Sequence, residues 1–318
     1  MPTSFNRRYF FFGTLGVALG CSTRSVQSSI ARRVSIVRAP SYSHDLKDII
    51  VRILSDHRVA VAGKRILLKP NLVEFRADAP INTNPILVSA SVDAFYSLGA
   101  ANVKIAEGPG HRRMTLDMAE AAGFFSSIHR FEDIFTDLNT DDVQRRVLSN
   151  PVSTLKELYL PNTVFDCDLL VSLPKMKTHH WAGATLSMKN LFGVVPGSVY
   201  GWPKNVLHWA GIDESIVDLQ HLFPKQFAIV DAIEAMEGNG PILGSSKHMG
   251  LIVAGDHPPS VDATCCQIMG INPTKVRYLT LTEETSPWHW RNVRQTGENI
   301  ATVQSPFALH PDLQHFRL

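Results

Sequence analysis

Short apolar runs alternate with amphipathic stretches along most of the chain. Residues 34–37, 66–68, 103–106, 169–173, 228–230 and 251–254 are of strand length, and nearly every position in them is apolar. A strand wet on one face alternates apolar and polar residues, whereas one covered on both faces does not, so these runs predict buried, mostly parallel strands. After the first run, Leu46, Ile49, Ile50, Ile53 and Leu54 recur at helical spacing. Asp45, Lys47, Asp48 and Arg52 fall largely on the other side, and Ser43 stands where a cap is needed. Asn84 as cap, Pro85 in the first helical position, Val88, Val92 and Phe95 as a stripe and Gly99 as terminator define a second helix. Residues 115–123, 213–222 and 260–270 predict three more. This order implies an α/β, doubly wound domain over 34–286, with a mostly parallel central sheet and helices on both faces. Residues 183–211, rich in Gly, Trp and Pro, break the rhythm and read as an insertion or lid. Residues 287–318 lack periodicity and read as a surface wrap.

The N-terminal end has another character. Asn6, Arg7, Arg8, Tyr9, Phe10 and Phe11 match the pattern of a twin-arginine export signal, which a mildly apolar stretch extends to Leu19. That stretch is too short to span a bilayer. Ala18, Leu19, Gly20 and Cys21 resemble a lipoprotein cleavage box, with Ala where Leu is commonest. Residues 1–21 are therefore expected to be a signal peptide and 22–33 a polar linker. The export machinery would be a partner, and the mature chain would be periplasmic or lipid-anchored at the membrane surface through Cys21.

Composition narrows the function classes. Hydrophobic residues at 44% and charged residues at 19% describe a packed chain rather than a disordered one. The net charge of +2 is matched by Arg7 and Arg8 alone, so the body is near neutral; it carries no basic run, which argues against nucleic acid. Cys21, Cys167, Cys265 and Cys266 form no CxxC pair, so neither a cysteine-bound zinc nor an iron–sulfur cluster is expected.

In open parallel sheets ligands bind outside the carboxyl ends of the strands. The run 66–68 leads into Lys69 and Asn71, 103–106 into Glu107 and Gly108, and 169–173 into Lys175, Lys177, His179 and His180. The run 228–230 leads into Asp231, Glu234 and Glu237, and 251–254 into Gly255 and Asp256. Asp262 lies one helical step from Cys265, Cys266 and Met269, which turns its carboxylate inward. Lys69 and Lys175 follow buried strands, a costly place for an ammonium without a counter-charge. A mixed lysine and carboxylate pocket follows, with Lys69, Lys175, Glu107 and Asp262 as catalytic candidates. Asn71, Thr83, Lys177, His179, Lys189 and Asn190 are the candidates for holding substrate. Clustered lysines repel one another and lose protons more easily, which suits a base or nucleophile. A divalent metal is the alternative cofactor, with His179, Asp231 and Glu237 as its candidate ligands. Two functions fit: an enzyme acting on a small anionic or carbonyl-bearing molecule, and a periplasmic binding or assembly protein without turnover. A purely structural ion-pair network would carry the same residues.

Several motifs bring a resemblance. LLKPN at 67–71, TNP at 83–85, GA at 99–100, LPKMKTH at 173–179 and MKNLFG at 188–193 come first. The stretch 231–241 ending in EGNGP, AGD at 254–256 and VDA at 261–263 follow. In this order, over roughly residues 34–284, they resemble the domain-of-unknown-function family numbered 362. The resemblance implies the α/β fold and a site among these motifs, and it brings no reaction with it. Some relatives carry a ferredoxin-type iron–sulfur segment, for which this chain lacks the cysteines.

Overall fold

The computed structural model describes residues 32–318 apart from 44, 111 and 112, so the twin-arginine segment and most of the expected linker lie outside the described residues. The strands are β1 (Arg33–Arg38), β2 (Arg65–Pro70), β3 (Asn102–Glu107), β4 (Phe135–Asp137), β5 (Val143–Val147), β6 (Glu157–Pro161), β7 (Leu169–Leu173), β8 (Lys175–His179), β9 (Gly183–Thr185), β10 (Gln226–Asn239), β11 (Leu243–Gly255) and β12 (Arg294–Gly297). The main sheet runs β12-β1-β11-β10-β7-β2-β3-β4; β8 pairs with β10 and β9, while β5 and β6 form a separate ribbon. Most neighbours are parallel.

Two apolar layers explain why the strand runs are continuously hydrophobic. Side chains alternate across a strand. Ile66, Leu68, Val103, Ile105, Phe227 and Ile229 therefore pack on one side with the helices Leu46–Asp56 and Pro85–Ser97. Leu67, Leu170, Ala228, Val230 and Val253 pack on the other with Ile212–Leu222, Pro258–Ile268 and Arg277–Thr285. The expected doubly wound, mostly parallel sheet is therefore present. Asn84 caps its helix by accepting from Ile86 N at 2.9 Å. Ser43 does not cap: Asp45 occupies the cap position and its side chain makes no capping bond.

Two strand exits differ from the sequence reading. The run 228–230 does not end at Val230; β10 continues to Asn239 across a bulge between Ala232 and Glu234, so Asp231, Glu234 and Glu237 belong to a strand and not to a loop. β11 returns from β10 as a hairpin and is antiparallel to both neighbours. Its end at Gly255 and Asp256 consequently lies at the opposite edge from the ends of β2, β3 and β7. A tight turn after Asn239 takes the place of a helical crossover, and that reverses the strand.

Residues 183–211 contain β9, the 3-10 turn Lys189–Val194 and the short helices Gly197–Tyr200 and Asn205–Trp209. Residues 287–318 add β12 beside β1 and bury Phe307 completely, so this end is woven into the body. No helix among the described residues is long and apolar enough to cross a membrane.

Candidate functional site

The ends of β2 and β3 meet in a buried ion pair. Lys69 Nζ lies 2.6 Å from Glu107 Oε2 and also donates to Pro70 O at 3.2 Å and Asn190 Oδ1 at 3.3 Å, which uses its three donors. Burial pulls the Lys69 ammonium below its ordinary range against the opposing charge of Glu107. Glu107 in turn accepts from Gly108 N at 2.9 Å and Leu72 N at 3.3 Å. Asn190 Nδ2 donates to Lys69 O and Ser172 Oγ, both at 3.0 Å, tying the turn Lys189–Val194 to the strand ends. Asn71 Nδ2 reaches Asn190 Oδ1 at 3.2 Å, and Asn71 N donates to Thr83 Oγ1 at 2.8 Å. Gly193 is required here: a Cβ at this position would overlap Glu107 Oε1 and Lys69 Nζ. Lys69, Asn71, Thr83, Glu107 and Asn190 thus form one network.

Other expected residues lie in separate networks. Lys175 Nζ lies 2.6 Å from Asp231 Oδ2 and donates to Tyr42 OH and Glu234 O, each at 3.0 Å. Tyr42 OH donates to Asp231 Oδ1 at 2.7 Å, and Asp231 Oδ2 also accepts from Asn84 N at 2.9 Å. Burial, followed by the charge of Asp231, pushes the Tyr42 hydroxyl far above its usual range and keeps it protonated. Lys175 is saturated, and it faces a shallower depression, not the main cavity. Asp262 accepts from Ser187 N at 2.8 Å, Met188 N at 3.0 Å and Ser187 Oγ; burial raises its carboxyl to about 7. It anchors the segment that leads to Lys189 and Asn190 and does not reach the cavity. The three metal candidates do not meet: His179 faces the cavity, Asp231 holds Lys175, and Glu237 holds Lys247 at 3.0 Å. Among the described residues no group of three or more His, Cys, Asp or Glu is arranged to hold a metal ion.

The main cavity, of about 550 Å³, lies against the first network and is bordered by residues 177–193 and 203–208 and by the turn after β10. Among the described residues, three lysine side chains converge on it without a carboxylate partner. Among the described residues Lys177 Nζ donates only to Ile81 O, at 2.8 Å. Lys204 Nζ donates to Gly108 O. The Lys189 ammonium makes no hydrogen bond among the described residues and sits with Nζ 3.5 Å from the Phe192 ring centroid. Burial is the first cause that lowers all three. Lys189 falls to about 7 with Lys204 and Lys69 adding repulsion; Lys204 also falls to about 7, with Glu107 opposing the fall and Lys69 adding to it. Lys177 drops well below its ordinary range, with Lys175 and Lys189 contributing. His179 accepts from Trp181 N at 3.1 Å and Ala182 N at 3.3 Å through Nδ1, which assigns its proton to Nε2. Burial and then Lys189 hold this ring neutral. Asn71 Oδ1, Thr185 Oγ1 and His208 Nδ1 are buried polar atoms without a protein partner, and all three residues line this cavity. A buried polar atom left unpaired costs about 1–3 kcal/mol, so three on one cavity mark where a ligand's polar groups would be satisfied.

Of the expected binding residues, Asn71, Lys177, His179, Lys189 and Asn190 line the cavity, as does Glu107; Thr83 does not, and borders the second depression while donating to Leu173 O. Lys204 and His208 were not among the expected residues. Lys204 holds a left-handed backbone, φ 64°, and His208 sits in a helix of five residues; neither position belongs to a periodic pattern. The one available signal is that both fall in the stretch 183–211, which breaks the strand and helix rhythm.

Comparisons add context. The family model described as Domain of unknown function (DUF362) matches residues 66–267, more than half of the chain. A thylakoid-associated protein of Synechocystis sp. is 25% identical over 268 residues, covering 80% of this chain and 79% of that protein. Among solved structures, the lactate racemase apoprotein of Thermoanaerobacterium thermosaccharolyticum aligns with a TM-score of 0.47 and 14% identity over 74% of this chain, which spans 56% of that racemase.

Proposed function

Because the chain belongs to the family described as Domain of unknown function (DUF362), whose description assigns no reaction, its site must speak for its function, and we propose that it is an enzyme acting on a small anionic molecule held in the lysine cavity. One observation carries the reading. Among the described residues, Lys177, Lys189 and Lys204 face a single cavity with no carboxylate partner, while the one carboxylate lining it, Glu107, is already paired with Lys69. An uncompensated cluster of buried ammoniums costs stability unless an anion completes it. Lys204 and Lys177 serve as anchors for the anion. Lys189, unbonded and at about 7, takes up a proton as the anion binds and is the group best placed to deliver it to the substrate near neutral pH. His179 offers its Nε2 proton to an oxygen of the substrate.

The test combines calorimetry with a panel of small carboxylates and phosphates and product detection by mass spectrometry on a metabolite mixture. Lys204→Met is expected to weaken binding by at least tenfold, and Lys189→Met to remove product while retaining measurable binding. If no anion binds the wild-type protein, the reading fails. Binding without any product in the wild type would make it a capture protein.

The location proposed with this activity is outside the cytoplasm. Arg7 and Arg8 with the apolar run after them support export by the twin-arginine route, and Cys21 supports a lipid anchor. The Synechocystis relative is named as thylakoid-associated, which agrees with a setting at a membrane surface. Cell fractionation checks it: Arg7→Lys with Arg8→Lys is expected to retain the protein in the cytoplasm, and an unchanged distribution would reject the export signal.

A further inference from the structure

The geometry points to a ligand whose anionic head is joined to a planar aromatic body, the head among Lys177, Lys189 and Lys204 and the body along the rings of Trp181, His208 and Phe192. This rests on the anion reading above and names the class of molecule that the same cavity takes. The first reason is size. A cavity of about 550 Å³ falls within the roughly 300–1,000 Å³ of sites that enclose whole small-molecule ligands, and a bare carboxylate or phosphate would leave most of it unfilled.

The second reason is what the remaining wall is made of. Trp181 and His208 meet at 5.6 Å between ring centroids and 75°, and His208 and Phe192 at 6.0 Å and 90°. Phe192 then carries the Lys189 ammonium over its ring. The series runs inward, from Trp181 at 62% exposed to Phe192 at 9%, and ends at a cation. Edge-to-face contacts leave part of each ring face uncovered, and ring pairs prefer offset or edge-on geometries that a further planar ring could adopt. His208 and His179 are both held below the ordinary histidine range by burial, so at neutral pH they present uncharged surface and not further cations. Trp181 is a large aromatic left mostly in water at the cavity, and the strongly exposed Leu243 is another apolar side chain of the same lining. A second ring against Trp181 would remove that surface from water. Charge at one end and neutral rings leading away from it describe an aromatic carboxylate or an aryl phosphate.

Calorimetry with matched probes tests this. Benzoate and indole-3-acetate are compared with acetate, and phenyl phosphate with inorganic phosphate, so that each pair shares its head and differs in the ring. The ring-bearing member is expected to bind at least tenfold more tightly. Trp181→Ala is expected to remove most of that advantage, leaving the ringless anions within about twofold of wild type, while Trp181→Phe retains it. The inference is overturned if both members of a pair bind alike, if Trp181→Ala weakens both equally, or if cyclohexanecarboxylate, apolar but not planar, matches benzoate. In each of those outcomes the anions still bind and the anion reading stands. That reading fails separately if none of the probes binds, or if Lys204→Met leaves all affinities unchanged.

Discussion

Ligand binding should take up protons. In the free protein Lys189 and Lys204 both sit at about 7, chiefly because burial penalises their charged forms. At pH 8 each is therefore about one-tenth protonated, and restoring one ammonium costs about 1.4 kcal/mol for every pH unit above its pKa. An anion that needs both charges raises both pKa values on binding. Its affinity is then greatest below about pH 7 and falls with rising pH, steepening towards about 100-fold per unit, until the bound-state pKa is reached. Free-protein stability has the opposite slope. Between about 7 and the ordinary lysine value of 10.5 the unfolded chain binds more protons than the folded one, so stability rises with pH across that window. Titration calorimetry at pH 8.5 in Tris and in triethanolamine, which differ in ionisation enthalpy, counts the protons taken up; a value approaching two from Lys189 and Lys204 is expected, with Lys177, also held below its ordinary range, adding to it. Zero uptake together with a dissociation constant unchanged between pH 6 and 9 would refute the reasoning, because the two lysines would then be charged before the ligand arrives.

Further outcomes concern the networks around the cavity. Glu107→Gln leaves the Lys69 ammonium buried without its partner and is expected to cost about 3–5 kcal/mol in urea unfolding, with part of the loss recovered by combining it with Lys69→Met. Lys175→Met strands Asp231 in the same way and should lower stability by a similar amount, which a thermal melt detects; unchanged stability with lost turnover would instead give Lys175 a chemical role. Asp262→Asn is expected to weaken anion binding through the Ser187–Met188 turn. It should also flatten the pH dependence between about 4 and 7, where a carboxyl raised to about 7 makes the wild-type protein less stable as pH rises. Gly193→Ala should prevent the Lys69–Glu107 pair from closing, seen as a large fall in melting temperature.

Local pattern carried much of this architecture. The apolar runs at 66–68, 103–106, 169–173 and 228–230 all lie in strands, because a run without polar interruption is stable only between two covering layers. Asn84 and Pro85 announced a helix start that needs no distant partner. A lysine directly after a buried strand also told of a nearby counter-charge, since the cost of an unpaired ammonium is a local fact. Which counter-charge it was could not be read locally. Lys69 and Lys175 look alike in sequence, yet one pairs with Glu107 beside the cavity and the other with Asp231 and Tyr42 in a closed knot away from it. The direction of β11 was equally hidden, because a run of apolar residues reads the same in either direction and only pairing with β10 reverses it. Lys204 and His208 reach the cavity from the cap and the body of a five-residue helix, too short for a period to report burial. Hydrophobic spacing determines which residues leave water. Pairing between residues distant in sequence decides which charges then face each other, and three lysines without a carboxylate became a site only when the strands and the stretch 183–211 folded against one another.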